Sequence, residues 1–357
     1  MLISLATELV EAVNGFDWDA TRVGSLLDRM LPASHTASAD ERAAALEVLV
    51  ERLRRAHVDD ADGVAHVALA CGTLVEHGAS AGILGEVLLS SMPGVLVAAR
   101  RYADWCVEPL RDVEDPWDGM SDDDVVTKVD GIPINRDRFR AGLAEDRGGA
   151  VALAYLDNWV LPSIAAFTHD RALLQRVSAD PALSTAASSM AQSEAYWLHQ
   201  LVSVQLDAPW RVVCPCEQRG FEIVVDGITS NFELHALVED GLVARGLPGT
   251  PNSQEVLAMV RGSSGVTDRM MVRASLELYT PAAAPFLCDG ADVPLDHVVW
   301  REGRPTDVPV LDGRRTLYAA RGQIQRSWNA GRSFSQLYPR VEFARELDPA
   351  EISRLTS

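Results

Sequence analysis

Seven residues from Arg326 to Arg332 bring together side chains that can hold an anion. A guanidinium group binds a carboxylate or a phosphate through two parallel hydrogen bonds, so Arg326 and Arg332 are the first candidates. Between them, Trp328 supplies a flat apolar ring and Asn329 supplies an amide. We therefore predict a site for an anionic small molecule or an acidic peptide, formed by Arg326, Trp328, Asn329 and Arg332. The competing interpretation is that these arginines pair with acidic side chains of the chain's own helical domain.

The distribution of charge favours a local anion site. Residues 301–345 hold nine arginines and four acidic residues, whereas the whole chain of 357 residues has a net charge of −19. The other 312 residues therefore carry a net charge of −24. Such acidity argues against nucleic acid and against an anionic membrane as partners. Lys128 is the only lysine, a bias typical of bacterial proteins from high-GC genomes, so only the clustering of the arginines indicates function.

His235 is the candidate for proton transfer. It lies one turn after Asn231, which is expected to cap a helix, and a helix N-terminus lowers the proton affinity of a nearby histidine. A neutral imidazole there suits a general base. The other interpretation is a structural histidine that is hydrogen-bonded to the backbone.

The cysteines offer a second kind of chemistry. Cys214 and Cys216 are separated by one proline, whereas zinc ligand pairs usually stand two to four residues apart. Cys288, His235 and His297 could complete a zinc site in space, and redox chemistry is a second alternative, but we expect structural cysteines and no metal. Five cysteines spread along a chain of this length do not form a secreted disulfide framework, which favours the cytoplasm.

Several common catalytic motifs are absent from the sequence. The chain has no Gly-x-Ser-x-Gly elbow, no His-Glu-x-x-His helix, no P-loop and no Gly-x-Gly-x-x-Gly fingerprint. An acidic segment, residues 108–124, holds eight acidic residues, but its spacing does not fit a calcium loop. It is typical of a solvated loop. We therefore expect no cofactor.

The elements that must position these residues fall into two predicted domains. Residues 1–207 have helical periodicity, with a capping box at Ser38 and Glu41 and a left-handed cap at Gly78, and predict a helical bundle or a short helical solenoid. Two of these helices are expected to meet at residues 92–94, because proline cannot continue a helix from within. The longest apolar stretches are interrupted by charged residues and prolines, which favours buried helices and no membrane span.

Residues 208–357 predict a smaller mixed α+β domain with an arginine-rich end. Strands are expected at residues 210–213, 221–225, 270–279, 298–300, 314–319 and 341–344. Taken together, the sequence favours a cytoplasmic binding or accessory protein that recognises an anionic small molecule or an acidic peptide. The alternative is an enzyme of specialised metabolism that acts on an anionic substrate in an interdomain pocket, with His235 as the catalytic residue. A third hypothesis is that both domains serve a homo-oligomer.

Overall fold

The structure, a computed structural model, describes most of the chain: residues 1–14, 19–56, 61–107, 125–129, 132–191, 193, 195–263, 270–273, 275–288, 292–321, 327–330 and 334–356. It divides into two compact units, Met1–Val202 and Ser203–Ser357. The predicted fold class is confirmed, since a helical region is followed by a unit that mixes helices with a sheet of mostly antiparallel strands. The acidic segment 108–124 lies outside the described residues.

The described part of the first unit is mostly helical. Its helices are α1 (Leu2–Ala12), α2 (Ala20–Thr36), α3 (Ala39–Arg54), α4 (Ala61–Glu76), α5 (Gly82–Val107), α6 (Arg136–Glu145), α7 (Arg147–Ala154), α8 (Leu156–Thr168), α9 (Arg171–Ala179), α10 (Pro181–Ser189) and α11 (Tyr196–Val202). Two short strands, β1 (Val125–Val129) and β2 (Ile132–Asn135), pair antiparallel between α5 and α6.

Local signals explain where several helices begin and end. The Ser38 hydroxyl accepts the backbone N–H of Glu41 at 3.2 Å and starts α3. The Glu41 carboxylate does not close a capping box and accepts instead from the ammonium group of Met1 and the backbone N–H of Leu2, at 2.9 Å each. Gly78 has a φ of +96° just after α4, as expected for a left-handed cap. The expected helix boundary at residues 92–94 is wrong, because α5 continues through Pro93.

Helices α4 and α8 approach each other closely at Gly72. A Cβ atom at this position would lie 2.7 Å from both the Cα and the Cβ of Pro162. Only glycine allows this distance without a shift of one helix. The contact joins two helices whose inner faces are formed by fully buried side chains such as Cys71, Leu74 and Phe167.

One helix among the described residues, Gly82–Val107, has the length and apolar composition that a membrane span would need. Half of its most apolar window is buried inside the protein. Leu84, Leu88 and Met92 are fully buried in the structure, which is the pattern of a core helix.

The second unit is built on a six-stranded sheet. Its described strands and helices are β3 (Ala208–Cys214), β4 (Arg219–Asp226), α12 (Asn231–Val243), α13 (Gln254–Val260), β5 (Met270–Arg273), β6 (Leu276–Tyr279), β7 (Val310–Leu311), β8 (Arg314–Arg321), β9 (Ser327–Ala330), β10 (Arg340–Glu346) and α14 (Pro349–Thr356). The order in the sheet is β10-β4-β3-β8-β6, with β7 added to β8. Only β3 and β8 are parallel neighbours; the other pairs are antiparallel.

Both faces of this sheet are covered. Alternate residues of the strands, among them Trp210, Ile223 and Leu317, form a core with α12 and α13. On the opposite face, Tyr318 and its neighbours pack against α14, and the Tyr318 hydroxyl donates a hydrogen bond to the carbonyl of Leu355. The predicted hairpin of residues 210–213 and 221–225 is present as β3 and β4. The expected strand 270–279 is divided into β5 and β6.

Candidate functional site

The predicted anion-binding segment lies on a two-stranded ribbon formed by β5 and β9. These strands are antiparallel, and the register pairs Met271 with Asn329, Val272 with Trp328, and Arg273 with Ser327. Two of the predicted site residues, Trp328 and Asn329, therefore lie in β9. The other two, Arg326 and Arg332, lie outside the described residues. In sequence, Arg326 directly precedes β9, whose first residue, Ser327, pairs with Arg273.

The ribbon is formed by the same two chain segments that pair at the edge of the main sheet. Strand β6 pairs with β8, with Leu276 opposite Arg321. The first pair of the ribbon is Arg273 with Ser327. Between these two pairs, the chain covers three residues on the β5–β6 side and six residues on the β8–β9 side. The β8–β9 side thus contains three extra residues. The register of β6 with β8 therefore does not continue unchanged into that of β5 with β9 across the junction between β5 and β6.

Glu239 of α12 holds this junction. Its Oε1 accepts hydrogen bonds from the Ser275 N–H at 2.6 Å, the Ser275 hydroxyl at 2.7 Å and the Leu276 N–H at 3.0 Å. Its Oε2 accepts a longer bond, 3.4 Å, from the amide of Asn252. Glu239 is only 3% exposed. A buried carboxylate with several donors fixes its partners strongly, because each bond is charge-assisted and water is excluded.

Two further polar residues of α12 hold the segment that follows the 3₁₀ helix Leu295–His297. The Asn231 amide donates to the carbonyl of Trp300 at 2.8 Å, and His235 Nε2 lies 2.7 Å from the carbonyl of Val299. Because a carbonyl only accepts, His235 carries its proton on Nε2. Asn231, His235 and Glu239 are spaced four residues apart and therefore lie on one face of α12. This helix, with a capping box at Ser230 and Glu233, presents a buried polar stripe to two chain segments.

The environment of His235 keeps its ring neutral. The side chain is 2% exposed, and burial lowers the pKa well below the usual 6.5. The nearby guanidinium of Arg301 lowers this pKa further, while the bond to Val299 opposes the shift. The catalytic role assigned to His235 from the sequence stays a prediction. In the structure, the ring links α12 to the backbone at residue 299.

Arg301 forms a buried ion pair in the same region. Its guanidinium lies 2.7 Å from the carboxylate of Glu277 on β6, and the two side chains are 5% and 3% exposed. Burial lowers the pKa of Arg301, and Glu277 opposes this effect. The pair connects the segment held by His235 with the strand that Glu239 anchors. The base of the ribbon is thus fixed from several sides by buried polar groups.

Most arginines of the basic segment have acceptors within the α+β unit itself. Among the described residues of 301–345, Arg321 is the exception: it is exposed at the end of β8. The others bind carboxylates or backbone carbonyls: Arg301 with Glu277, Arg304 with Asp307, Arg314 with Glu222, Arg315 with Thr306 and Val308, Arg340 with Asp226, and Arg345 with Glu222 and Glu351. This pairing leaves Arg321, together with the arginines beside the ribbon, as the candidates for an external anion.

Glu222 is the centre of the largest of these ion-pair groups. Arg345 binds it through two nitrogens, at 2.8 and 3.0 Å, and Arg314 of β8, the strand beyond β3, binds it as well. The hydrogen bond with Arg345 is the main cause that lowers the pKa of Glu222. The same Arg345 binds Glu351 of α14, whose pKa falls to about 2. These arginines therefore attach β10 and α14 to the sheet.

The cysteines are distributed between the core and the surface. Cys214 is buried at the end of β3, and burial raises the pKa of its thiol far above the usual range. Cys216 and Cys288 are exposed free cysteines. Within the described ranges, no group of three or more His, Cys, Asp or Glu side chains has the arrangement of a metal site.

The structure adds two residues to the candidate site that the sequence did not indicate, Arg273 and Arg321. Each lies at the end of a strand next to the ribbon junction. Arg273 lies within the predicted strand 270–279, so its place in a strand was predicted. The strand with which it pairs could not be predicted from a local sequence pattern. Comparison of the chain with protein-family models, with curated proteins and with solved structures finds no match.

Proposed function

We propose that this chain is a cytoplasmic binding or accessory protein that recognises an acidic peptide or a small anion through the arginines around the β5–β9 ribbon. The observation that carries the proposal is the register that pairs Arg273 with Ser327, directly beside Arg326. Arg273 ends β5 and Arg321 ends β8, while in the sequence Arg326 directly precedes β9 and Arg332 follows it by two residues. No acidic residue lies between Arg321 and Arg332 in the sequence.

A second argument comes from the anchoring of the ribbon. Glu239, His235 and Arg301 are buried and hold its base through short polar contacts. A ligand site gains affinity when its supporting backbone is already ordered, because less conformational entropy is lost on binding. Arginines on a ribbon with a fixed base suit an extended acidic ligand, whose carboxylates they bind in pairs.

Fluorescence anisotropy with a labelled hexaglutamate peptide tests the proposal, with hexaglutamine as the neutral probe. The triple variant Arg273→Gln, Arg326→Gln and Arg332→Gln should weaken binding of hexaglutamate by about tenfold or more, as expected for loss of several charge-assisted contacts. Competition with citrate then distinguishes the two ligand classes. A small-anion site is blocked by citrate, whereas an extended peptide site is affected only as much as the added ionic strength requires.

The matched control is the triple variant Arg22→Gln, Arg54→Gln and Arg55→Gln. These arginines are exposed in the helical unit and the variant has the same change in net charge. It should bind hexaglutamate within about twofold of the parent chain. If both triple variants bind hexaglutamate equally weakly, the effect comes from the change in net charge and not from the proposed site. Absence of binding by the parent chain at low salt would remove the proposal.

A further inference from the structure

Two exposed free cysteines, Cys216 and Cys288, lie next to each other on two different loops. Cys216 lies in the turn between β3 and β4, and its Sγ donates a hydrogen bond to the carbonyl of Leu287 at 3.2 Å. Because peptide geometry places a carbonyl oxygen within about 3 Å of the next Cα, this sulfur lies within about 6 Å of the Cα of Cys288. The two residues are 72 positions apart in the sequence, so the fold alone brings them together.

Both loops are fixed by contacts of their own. The Gln218 side chain and backbone N–H each donate to the carbonyl of Pro215, at 2.7 and 3.1 Å, which closes the turn that presents Cys216. On the other side, Leu287 is buried in the core against α14, directly before Cys288. These contacts hold both cysteines in place, so the two thiols stay close to each other in the folded chain.

We infer that Cys216 and Cys288 form a reversible disulfide when the protein meets a peroxide. The Cys288 thiol attacks hydrogen peroxide, the O–O bond breaks, and Cys288 sulfenic acid and one water form. The Cys216 sulfur then attacks the sulfenic sulfur, and the departing hydroxide takes the Cys216 proton and leaves as a second water. Two thiols are oxidised to one disulfide, and one peroxide is reduced to two waters.

The order of these steps follows from the surroundings of Cys216. The pKa of the Cys216 thiol is raised to about 12. The main cause is partial burial of the thiol, and the second cause is its hydrogen bond with the Cys288 thiol. A thiol that keeps its proton at neutral pH reacts slowly with dissolved peroxide, so Cys216 acts in the second step, where the sulfenic sulfur is held beside it and the departing hydroxide takes its proton. Cys214 takes no part, because its side chain is buried in the core of the sheet.

Digestion with trypsin tests this inference directly. The reduced full chain is treated with hydrogen peroxide, its free thiols are blocked, and it is digested without a reducing agent. Cleavage after arginine places Cys216 in the peptide 212–219 and Cys288 in the peptide 274–301. We expect these two peptides to be joined, with a mass two hydrogens below their sum, and to separate after reduction with dithiothreitol.

Three single variants identify the sulfurs involved. Cys216→Ser and Cys288→Ser change exposed residues and should each abolish the cross-linked peptide while the circular dichroism spectrum stays unchanged. Cys214→Ser is the control that keeps the cross-link. The inference is overturned if the oxidised parent chain contains a disulfide within the peptide 212–219, or if Cys288 is converted to sulfinic acid without cross-linking.

Discussion

The Glu239 carboxylate binds both the backbone N–H and the hydroxyl of Ser275, at 2.6 and 2.7 Å, directly before β6. A carboxylate of α12 thus holds the backbone at the point where the β6–β8 register does not continue unchanged into the β5–β9 register. The arrangement explains why a glutamate is tolerated at a position that is 3% exposed. Its charge is compensated by the donors of Ser275 and Leu276, which bind the same carboxylate oxygen.

Replacement of Glu239 by alanine should release the base of the ribbon. We expect a loss of about 2–4 kcal/mol in the free energy of unfolding of the α+β unit, because several buried donors lose their acceptor. Hydrogen exchange in peptides that cover residues 275–279 measures the effect at the junction. Glu255→Ala, an exposed glutamate on α13, is the control and should change stability by less than about 0.5 kcal/mol. Equal exchange in both variants would contradict the anchoring role.

The buried pair of Arg301 and Glu277 should show strong coupling. Either Arg301→Met or Glu277→Leu alone leaves a buried charge without its partner and should lower the free energy of unfolding by about 3–5 kcal/mol. The double variant removes both charges and should recover a large part of that loss. Urea unfolding of the four chains gives the coupling energy. Additive losses in the double variant would mean that the pair has no special energetic role.

His235 should make the stability of the α+β unit depend on pH. The folded state excludes the proton, so its pKa lies well below 6.5, whereas the unfolded chain binds a proton near that value. Stability is therefore complete above pH 6.5 and is lost as the pH falls below it. Between pH 6.5 and 5.5, we expect the parent chain to lose about 1 kcal/mol more than the His235→Gln variant.

Urea titrations at these two pH values, followed by hydrogen exchange of β4 peptides, measure this difference for the α+β unit alone. Glutamine can still donate to the carbonyl of Val299, so the variant removes the titration more than the contact. If the free energy of unfolding depends on pH in the same way in the two chains, His235 takes up its proton in the folded state, and the prediction is wrong.

The close approach at Gly72 should make this position intolerant even of alanine. The added Cβ would meet the backbone of Pro162 at 2.7 Å, and we expect a loss of about 1–3 kcal/mol in the helical unit. Gly94→Ala in α5 is the matched change, because the site is exposed and a Cβ there has nothing within 4 Å. It should stabilise by about 0.5–1 kcal/mol. Thermal unfolding compares the two, and melting temperatures that shift in the same direction would contradict this packing.

Local sequence patterns predicted most of what depends on local interactions. The Ser38 hydroxyl starts α3 and Gly78 ends the turn after α4, as their residue types indicate. Pro93 was misleading because the flanking residues Met92 and Leu96 are fully buried. Burial of such side chains outweighs the loss of one helical hydrogen bond.

The site depends on pairs that are distant in the sequence, and these could not be predicted. Glu222 and Arg345 are 123 positions apart, and Arg301 reaches Glu277 across 24. The cluster of arginines in the sequence therefore suggested too much positive charge for an external ligand, because most of the described arginines bind acceptors in their own unit. The break between β5 and β6 was also invisible, since a strand pattern does not reveal where the partner changes.

The position of β10 at the sheet edge has a consequence for the order of synthesis. This strand pairs with β4, which leaves the ribosome more than 100 residues earlier. At about 5–20 residues per second, β4 waits for several seconds or more with one edge open. During that interval the edge can pair with another nascent chain.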